Sequence, residues 1–282
     1  MDQDLRLVWL YCVIDDAVRL IVGDGRTRSR GTEPELTDAE VLTLQLWGEM
    51  EGLASDAAIW RAAVDRWIDW FPTIGSEWNF TRRCANLHPL MDRVLVLLFA
   101  PSGDWNAFDG LPLPVCRQAR ANRDRRFKGE AAWGYCAAKG EHYYGFKAGV
   151  SMNSHGEIYR LWLGPANVDE REMVEATAFG MHSLLLADKG LISPVLTDLM
   201  LGRGIDLTTP LRRNMKDARP HWVVRQAMRL RRRVETALGV LTEHFAIART
   251  RGRDFWRWSS RILRKILAYN LLHRFEGIAA SA

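Results

Sequence analysis

Ala107-Phe108-Asp109-Gly110-Leu111-Pro112-Leu113 is a short apolar stretch broken by one acid. A run of this length and composition reads as a buried strand. A carboxylate inside it must be paired or bind a metal, since lone burial of the charge costs several kcal/mol. Asp109-Gly110 also has the composition of a turn, and the local sequence leaves both readings open. A second apolar run, Leu184-Leu185-Leu186-Ala187, ends at Asp188 and is followed by Lys189-Gly190. Strand C-terminal ends in open α/β sheets are where ligands bind; the plain alternative is a strand-end turn.

A third acid, Glu235, lies in Arg231-Arg232-Arg233-Val234-Glu235-Thr236. From Trp222 onward, Ala227, Leu230, Val234, Leu238, Leu241 and Phe245 recur at helical spacing and form a buried stripe. Glu235 projects from the edge of that stripe. Arg231, four residues earlier on the same face, can pair with Glu235 or with a substrate phosphate. Gly239, one turn on, allows close approach of another backbone.

Between and around these acids the chain alternates. Strands are expected at residues 108–115, 143–152, 158–163, 184–188 and 205–209. Helices are expected at 169–181, 193–201, 222–249 and 256–275. Asn153-Ser154-His155-Gly156 between the second and third strands makes a hairpin. The segment 116–128, rich in Arg, reads as a surface loop. The resulting order is α/β with a mixed sheet, as in the ribonuclease H-like fold. The 79 residues from Asp109 to Asp188 leave room for a hairpin and a helix, and the 47 from Asp188 to Glu235 for helix, strand and the next helix's start. Carboxylates on a strand, a strand end and a helix suit hard divalent cations, which take oxygen ligands from rigid elements.

Residues 1–100 read as helical. Leu5 to Ile21 is apolar at helical spacing, and a Gly- and Arg-rich loop follows at 23–31. Thr37 with Asp38 and Glu40 is an N-terminal helix signal. Pro101-Ser102-Gly103-Asp104 reads as a linker. The expected division is therefore 1–100, a helical accessory or DNA-binding domain, and 101–282, a catalytic domain. Charge follows it: residues 1–100 carry 10 Lys+Arg against 16 Asp+Glu, whereas residues 101–282 carry 29 against 18. A basic second part fits a polyanionic partner.

No apolar run reaches membrane-spanning length, and Met1-Asp2-Gln3-Asp4 is acidic where a secretory signal is basic. A cytoplasmic location is expected. Cys12, Cys84, Cys116 and Cys136 form no C-x-x-C pair, which argues against structural zinc and for reduced, buried thiols. Trp256 and Trp258, near basic residues, are candidates for base stacking; Trp9, Trp47, Trp60 and Trp67 are expected in the core.

The chain resembles the DDE transposases of bacterial insertion sequences, most nearly the insertion sequence 982 family. The resemblance runs through Leu36-Thr37-Asp38-Ala39-Glu40, Phe80-Thr81-Arg82-Arg83, Asp109-Gly110-Leu111-Pro112-Leu113-Pro114-Val115-Cys116, Tyr144-Gly145-Phe146-Lys147, Ala166-Asn167-Val168-Asp169, Asp188-Lys189-Gly190, Thr209-Pro210-Leu211-Arg212-Arg213-Asn214-Met215 and Val234-Glu235-Thr236. It implies that Asp109, Asp188 and Glu235 are catalytic and hold two Mg²⁺ or Mn²⁺ ions. It further implies endonuclease cleavage of DNA at an element's terminal repeats and strand transfer to target DNA, with a homodimer in the DNA complex. Candidate DNA contacts are Lys189, Arg212, Arg213, Arg229, Arg231, Arg232 and Arg233. Two other readings share the motifs: a ribonuclease H-like nuclease without strand transfer, and a domesticated, non-catalytic DNA-binding protein. Departures from the family pattern stand at Gly110, where serine commonly follows the first Asp, at Ala148 and Leu191, and at Met228 and Thr242, where related transposases carry tyrosine and lysine.

Overall fold

A computed structural model describes residues 3–23 and 34–281. The Gly- and Arg-rich stretch expected as a loop lies, from residue 24 onward, outside the described residues. The chain divides into two compact units, residues 1–98 with 256–282, and residues 99–255.

The first unit is helical: α1 (Gln3–Val22), α2 (Asp38–Met50), α3 (Asp56–Arg66), α4 (Glu77–Asn86), α5 (His88–Leu98) and α9 (Phe255–Ser281). Helix α2 is its centre, with every residue from Ala39 to Glu49 buried except the capping Glu40. Thr37 starts that helix with a capping box. The Glu40 amide donates to the Thr37 hydroxyl at 3.1 Å, and the Thr37 amide donates to the Glu40 carboxylate at 2.6 Å. Such a cap contributes about 1 kcal/mol. The division expected from sequence put 256–282 with the sheet, whereas α9 groups with the N-terminal helices. Its apolar face, including Ile262, Ile266 and Leu267, is fully buried. Its polar groups Arg264 and Lys265 bind Glu49 of α2.

The second unit is a mixed sheet with helices on both faces. Its strands are β1 (Trp105–Pro114), β2 (Ala132–Cys136), β3 (Glu141–Asn153), β4 (Ile158–Pro165), β5 (Leu184–Leu186) and β6 (Asp206–Thr208). The order is β2-β3-β1-β5-β6, with β4 also on β3. β3 runs antiparallel to β1, β2 and β4; β5 runs parallel to β1 and to β6. Helix α6 (Glu170–Thr177) and α7 (Pro194–Gly202) cover one face. There Phe108, Met173, Val174, Leu185, Leu196 and Met200 share one core. Helix α8 (His221–Glu243) packs on β1 and β5. The hairpin expected at Asn153–Gly156 forms: the Asn153 side-chain oxygen accepts from the His155 and Glu157 amides, and Gly156 takes φ +91°.

Two features of β1 prepare the site. β1 pairs with β5 only over Trp105 to Ala107, so its second half has one open edge. Pro112 and Pro114 lie in that half, where a missing N–H breaks no ladder bond. Asp109 is in mid-strand opposite Val150 rather than in a turn.

Two expectations need correction. The four cysteines are free, but only Cys84 is buried and Cys12 is exposed, because Cys12 falls off the inward stripe Leu7, Leu10, Ile14 and Ala17 of α1. Trp258 is 2% exposed and belongs to the core, so it has no face for a base; Trp256 is half-exposed and donates its indole N–H to the Ala85 carbonyl at 2.9 Å. Among the described residues, no helix is long and apolar enough to cross a membrane.

Candidate active site

Strand alternation turns Phe108 into the core shared with α6 and sends Asp109 to the opposite face, where α8 packs. The Gly110 amide donates to Asp109 Oδ1 at 2.9 Å. Parallel pairing of β1 with β5 ends at Ala107 and Leu186. Asp109 and Asp188 each stand two residues beyond that last pair, so the register itself sets the two acids side by side. β5 stops at Leu186, and Asp188 caps a short 3-10 turn, Lys189–Leu191, accepting from the Gly190 amide at 3.4 Å. On α8, the buried residues Ala227, Val234, Ala237, Leu238 and Leu241 seat the helix on the sheet. Glu235 then faces outward at the rim of that contact, with its side chain half-exposed.

The three acids meet at one guanidinium. Arg231 Nη1 lies 2.7 Å from Glu235 Oε1, and its Nη2 lies 3.6 Å from Asp109 Oδ2 and 3.7 Å from Asp188 Oδ1. Its side chain is only 12% exposed, and its Nε finds no partner. Three carboxylates around one cation leave an excess of negative charge. Burial raises the Asp109 pKa to about 6; Arg231 and the Gly110 amide oppose the rise, while Glu235 and Glu170 add to it. Among the described residues, no three His, Cys, Asp or Glu side chains are gathered closely enough to hold a metal ion as they stand. Arg231 occupies the space between them. The donors are all oxygen, carried by β1, by the turn that follows β5 and by α8, which is the chemistry a hard divalent cation takes.

Of the predicted phosphate contacts, Lys189, Arg212, Arg213, Arg229 and Arg232 are exposed. Arg231 is inside the acid cluster. Arg233 is engaged elsewhere: it donates to the Ser154 carbonyl at 2.7 Å and lies over the Trp105 ring at 5.5 Å. It holds the β3–β4 hairpin against α8 more than it offers a free charge.

Two charged residues near the site were not expected. Glu170, the first residue of α6, sits 3.3 Å from where a Gly110 Cβ would stand. Its partner is Lys147 of β3, at 3.5 Å, which also donates to the Val168 carbonyl at 3.2 Å. In sequence, Asp169-Glu170 reads only as a helix start. Both residues belong to or abut fragments quoted above, Gly145-Phe146-Lys147 and Asn167-Val168-Asp169, and that was the available signal.

Among solved structures, the chain is similar to the cryo-EM structure of a piggyBac transposase synaptic complex with hairpin DNA. The TM-score is 0.51 at 11% identity, covering 96% of this chain and 73% of that one. This likeness bears on the fold. No curated protein matches the chain. Residues 103–255, more than half of the chain and the whole of the sheet between the acids, match the family described as transposase DDE domain, and the chain belongs to that family.

Proposed function

We propose that the protein cleaves DNA at the ends of an insertion sequence and joins those ends to a target, using Asp109, Asp188 and Glu235 as its catalytic carboxylates. The observation that carries this reading is the convergence of the three acids on Arg231. Three partly exposed acids from separate elements exceed the charge of one guanidinium, which supports reading them as a ligand set. The sheet supports a ribonuclease H-like fold, with three antiparallel strands, β4-β3-β1, continued by two parallel ones, β5 and β6. The motifs quoted above favour the insertion sequence 982 family as its nearest kin.

Two divalent cations, Mg²⁺ or Mn²⁺, when bound by these carboxylates, supply Lewis-acid polarisation and neutralise charge on the attacking and leaving oxygens. The chain's residues do the rest. Arg231 first gives up Asp109 and Asp188, whose contacts are long, and keeps Glu235, whose contact is short. Its freed Nη2 can then hold a phosphate oxygen. The Gly110 amide keeps Asp109 oriented. Lys189, Arg212, Arg213, Arg229 and Arg232 position the DNA backbone without reading its sequence. Pairing two element ends calls for two copies of the chain, and such a protein acts in the cytoplasm.

The test is cleavage and strand transfer on duplex DNA carrying the sequences that flank the gene. Asp188→Asn is expected to abolish both reactions in Mg²⁺ while leaving DNA binding intact. Cleavage that persists in Asp188→Asn would refute the assignment. Cleavage without strand transfer in the wild type would favour a plain nuclease.

A further inference from the structure

The segment between β1 and β2 carries a second cationic feature, apart from the acid cluster. From residue 117 to 128 it holds Arg117, Arg120, Arg123, Arg125, Arg126 and Lys128 against one acid, Asp124. All six cations are exposed. Asp124 is already consumed: Arg126 Nη2 lies 2.5 Å from it, and that hydrogen bond depresses the Asp124 pKa. The segment therefore has no carboxylate left for its other five charges.

It is nevertheless a built surface. Gln118–Arg123 forms a 3-10 turn with Ala121 buried. Phe127 is 1% exposed and sets its edge on Phe146 of β3, with ring centroids 5.5 Å apart. Arg126 donates to the Val115 carbonyl at 3.2 Å, and the Gln118 amide donates to the His142 carbonyl. Two open depressions result. One, of ≈ 880 Å³, is lined by Arg117, Arg120, Arg126 and Arg251; the other, of ≈ 620 Å³, by Lys128 and Tyr144; Arg123, Arg125 and the paired Asp124 border both. Crowding like charges on a fixed frame costs free energy unless a polyanion spreads across them.

We propose that this arginine segment binds the phosphates of duplex DNA beyond the cleavage point. The proposal rests on the phosphoryl-transfer reading of the carboxylates. β1 joins the two sites: Pro114 lies five residues past Asp109. At roughly 3.3 Å per residue this is about 17 Å along the strand. A duplex rises about 3.4 Å per base pair, so this length matches about five base pairs of a duplex laid along β1. Arginine suits the role because its planar fork holds phosphate oxygens in pairs. The exposed rings of Trp133 and Tyr135 on β2, and Tyr144 beside Trp133 at 5.7 Å, line the neighbouring surface.

The experiment uses the full chain without divalent cation and a labelled duplex of about 30 base pairs. Binding is measured by anisotropy across a salt series for wild type and for Arg117→Gln/Arg120→Gln/Arg123→Gln/Arg125→Gln. These side chains are exposed, and Arg126 with its structural bonds is kept. The expected result is at least about a tenfold loss of affinity near 0.1 M salt. The slope of log K against log salt should fall by about 0.9 for each phosphate that the variant no longer neutralises, hence by about 2 to 4. Unchanged affinity and slope would overturn the proposal. So would equal, segment-dependent binding of a labelled polyglutamate of matched charge, which would assign the surface to an acidic protein. Asp188→Asn separates this from the function above: if it leaves cleavage intact while the four-Gln variant loses binding, the surface stands and the carboxylate reading falls. The opposite pair of results sinks the surface alone.

Discussion

Two charge clusters, one in each unit, are built to opposite plans. In the helical unit, cations surround an acid. Glu49 of α2 is 1% exposed and takes Arg264 at 2.7 Å and Lys265 at 2.5 Å, while Arg264 also holds Asp56 at 2.7 Å. Burial alone would lower the Arg264 pKa, but Asp56 and Glu49 outweigh it and raise it; for Lys265 burial prevails and the pKa falls. In the sheet unit, acids surround a cation, only one of the three contacts is short, and the acids are partly open to solvent. The first cluster is closed and short-bonded, with nothing to gain from another ion. The second is over-negative and loosely tied, as the proposed exchange of its longer guanidinium contacts for divalent cations requires. Contact with a charged partner is common to both; charge balance and access are what separate a fastening from a site.

The largest expected effect breaks the closed cluster. Glu49→Gln removes the carboxylate that Arg264 and Lys265 share inside the helical unit, and leaves Arg264 with Asp56. The loss should be about 3–5 kcal/mol, read from urea unfolding. Asp188→Asn, at an exposed acid, should change stability by well under 1 kcal/mol in the same measurement. Equal losses would mean that the two clusters are alike and the distinction is false.

Next comes the response to metal. Mg²⁺ at about 100 times its dissociation constant should stabilise the wild type by about 2.7 kcal/mol, seen as a rise in melting temperature. Asp109→Asn or Asp188→Asn should lose most of that rise, and Glu49→Gln should keep it. A metal-induced rise that survives Asp188→Asn would place the cation elsewhere.

The pH dependence of Asp109 gives a smaller effect. Its folded pKa of about 6 lies above its usual value of 3.8. Between these values the folded state binds the extra proton, so stability falls as pH rises from about 4 to about 6 and stays low above that. Without divalent cation, Asp109→Asn should therefore stabilise the protein at neutral pH by about 1–3 kcal/mol. The gain should vanish below about pH 4. A variant less stable than wild type at neutral pH would show that Arg231 offsets the burial of Asp109 fully.

How far these clusters could be read from the sequence differs for a physical reason. Asp109, Asp188 and Glu235 were legible because each sits at a fixed place on its own element, and the intervening lengths fit a hairpin, helices and strands. The place of Arg231 was half legible: helical spacing pairs it with Glu235 but says nothing of Asp109 or Asp188, whose approach depends on how α8 crosses the sheet. β2 went unread because Ala132–Cys136 buries only Gly134, so no apolar alternation marks it. The Glu49 cluster was illegible, since Glu49 and Arg264 are far apart in the chain and only packing of α9 on α2 brings them together. The same packing moved 256–282 into the helical unit.

The smallest predicted effect concerns the edge of the open cluster. Gly110 stands where serine is common in the resembling family, and a Cβ there would meet Glu170 Oε1 at 3.3 Å. That neighbour is the end of a flexible side chain, so it can yield by a few tenths of an ångström. Gly110→Ser should therefore change stability by less than about 1 kcal/mol. Its hydroxyl can donate to Glu170 and spread that charge, weakening one of the influences that hold the Asp109 pKa up. The stabilisation by Asp109→Asn at neutral pH should then be slightly smaller in the Gly110→Ser background, as a double-mutant cycle measures. An unchanged increment would detach Glu170 from the cluster and leave three acids. A smaller one makes Glu170 a fourth acid, and the contrast with the cation-rich ring around Glu49 becomes steeper.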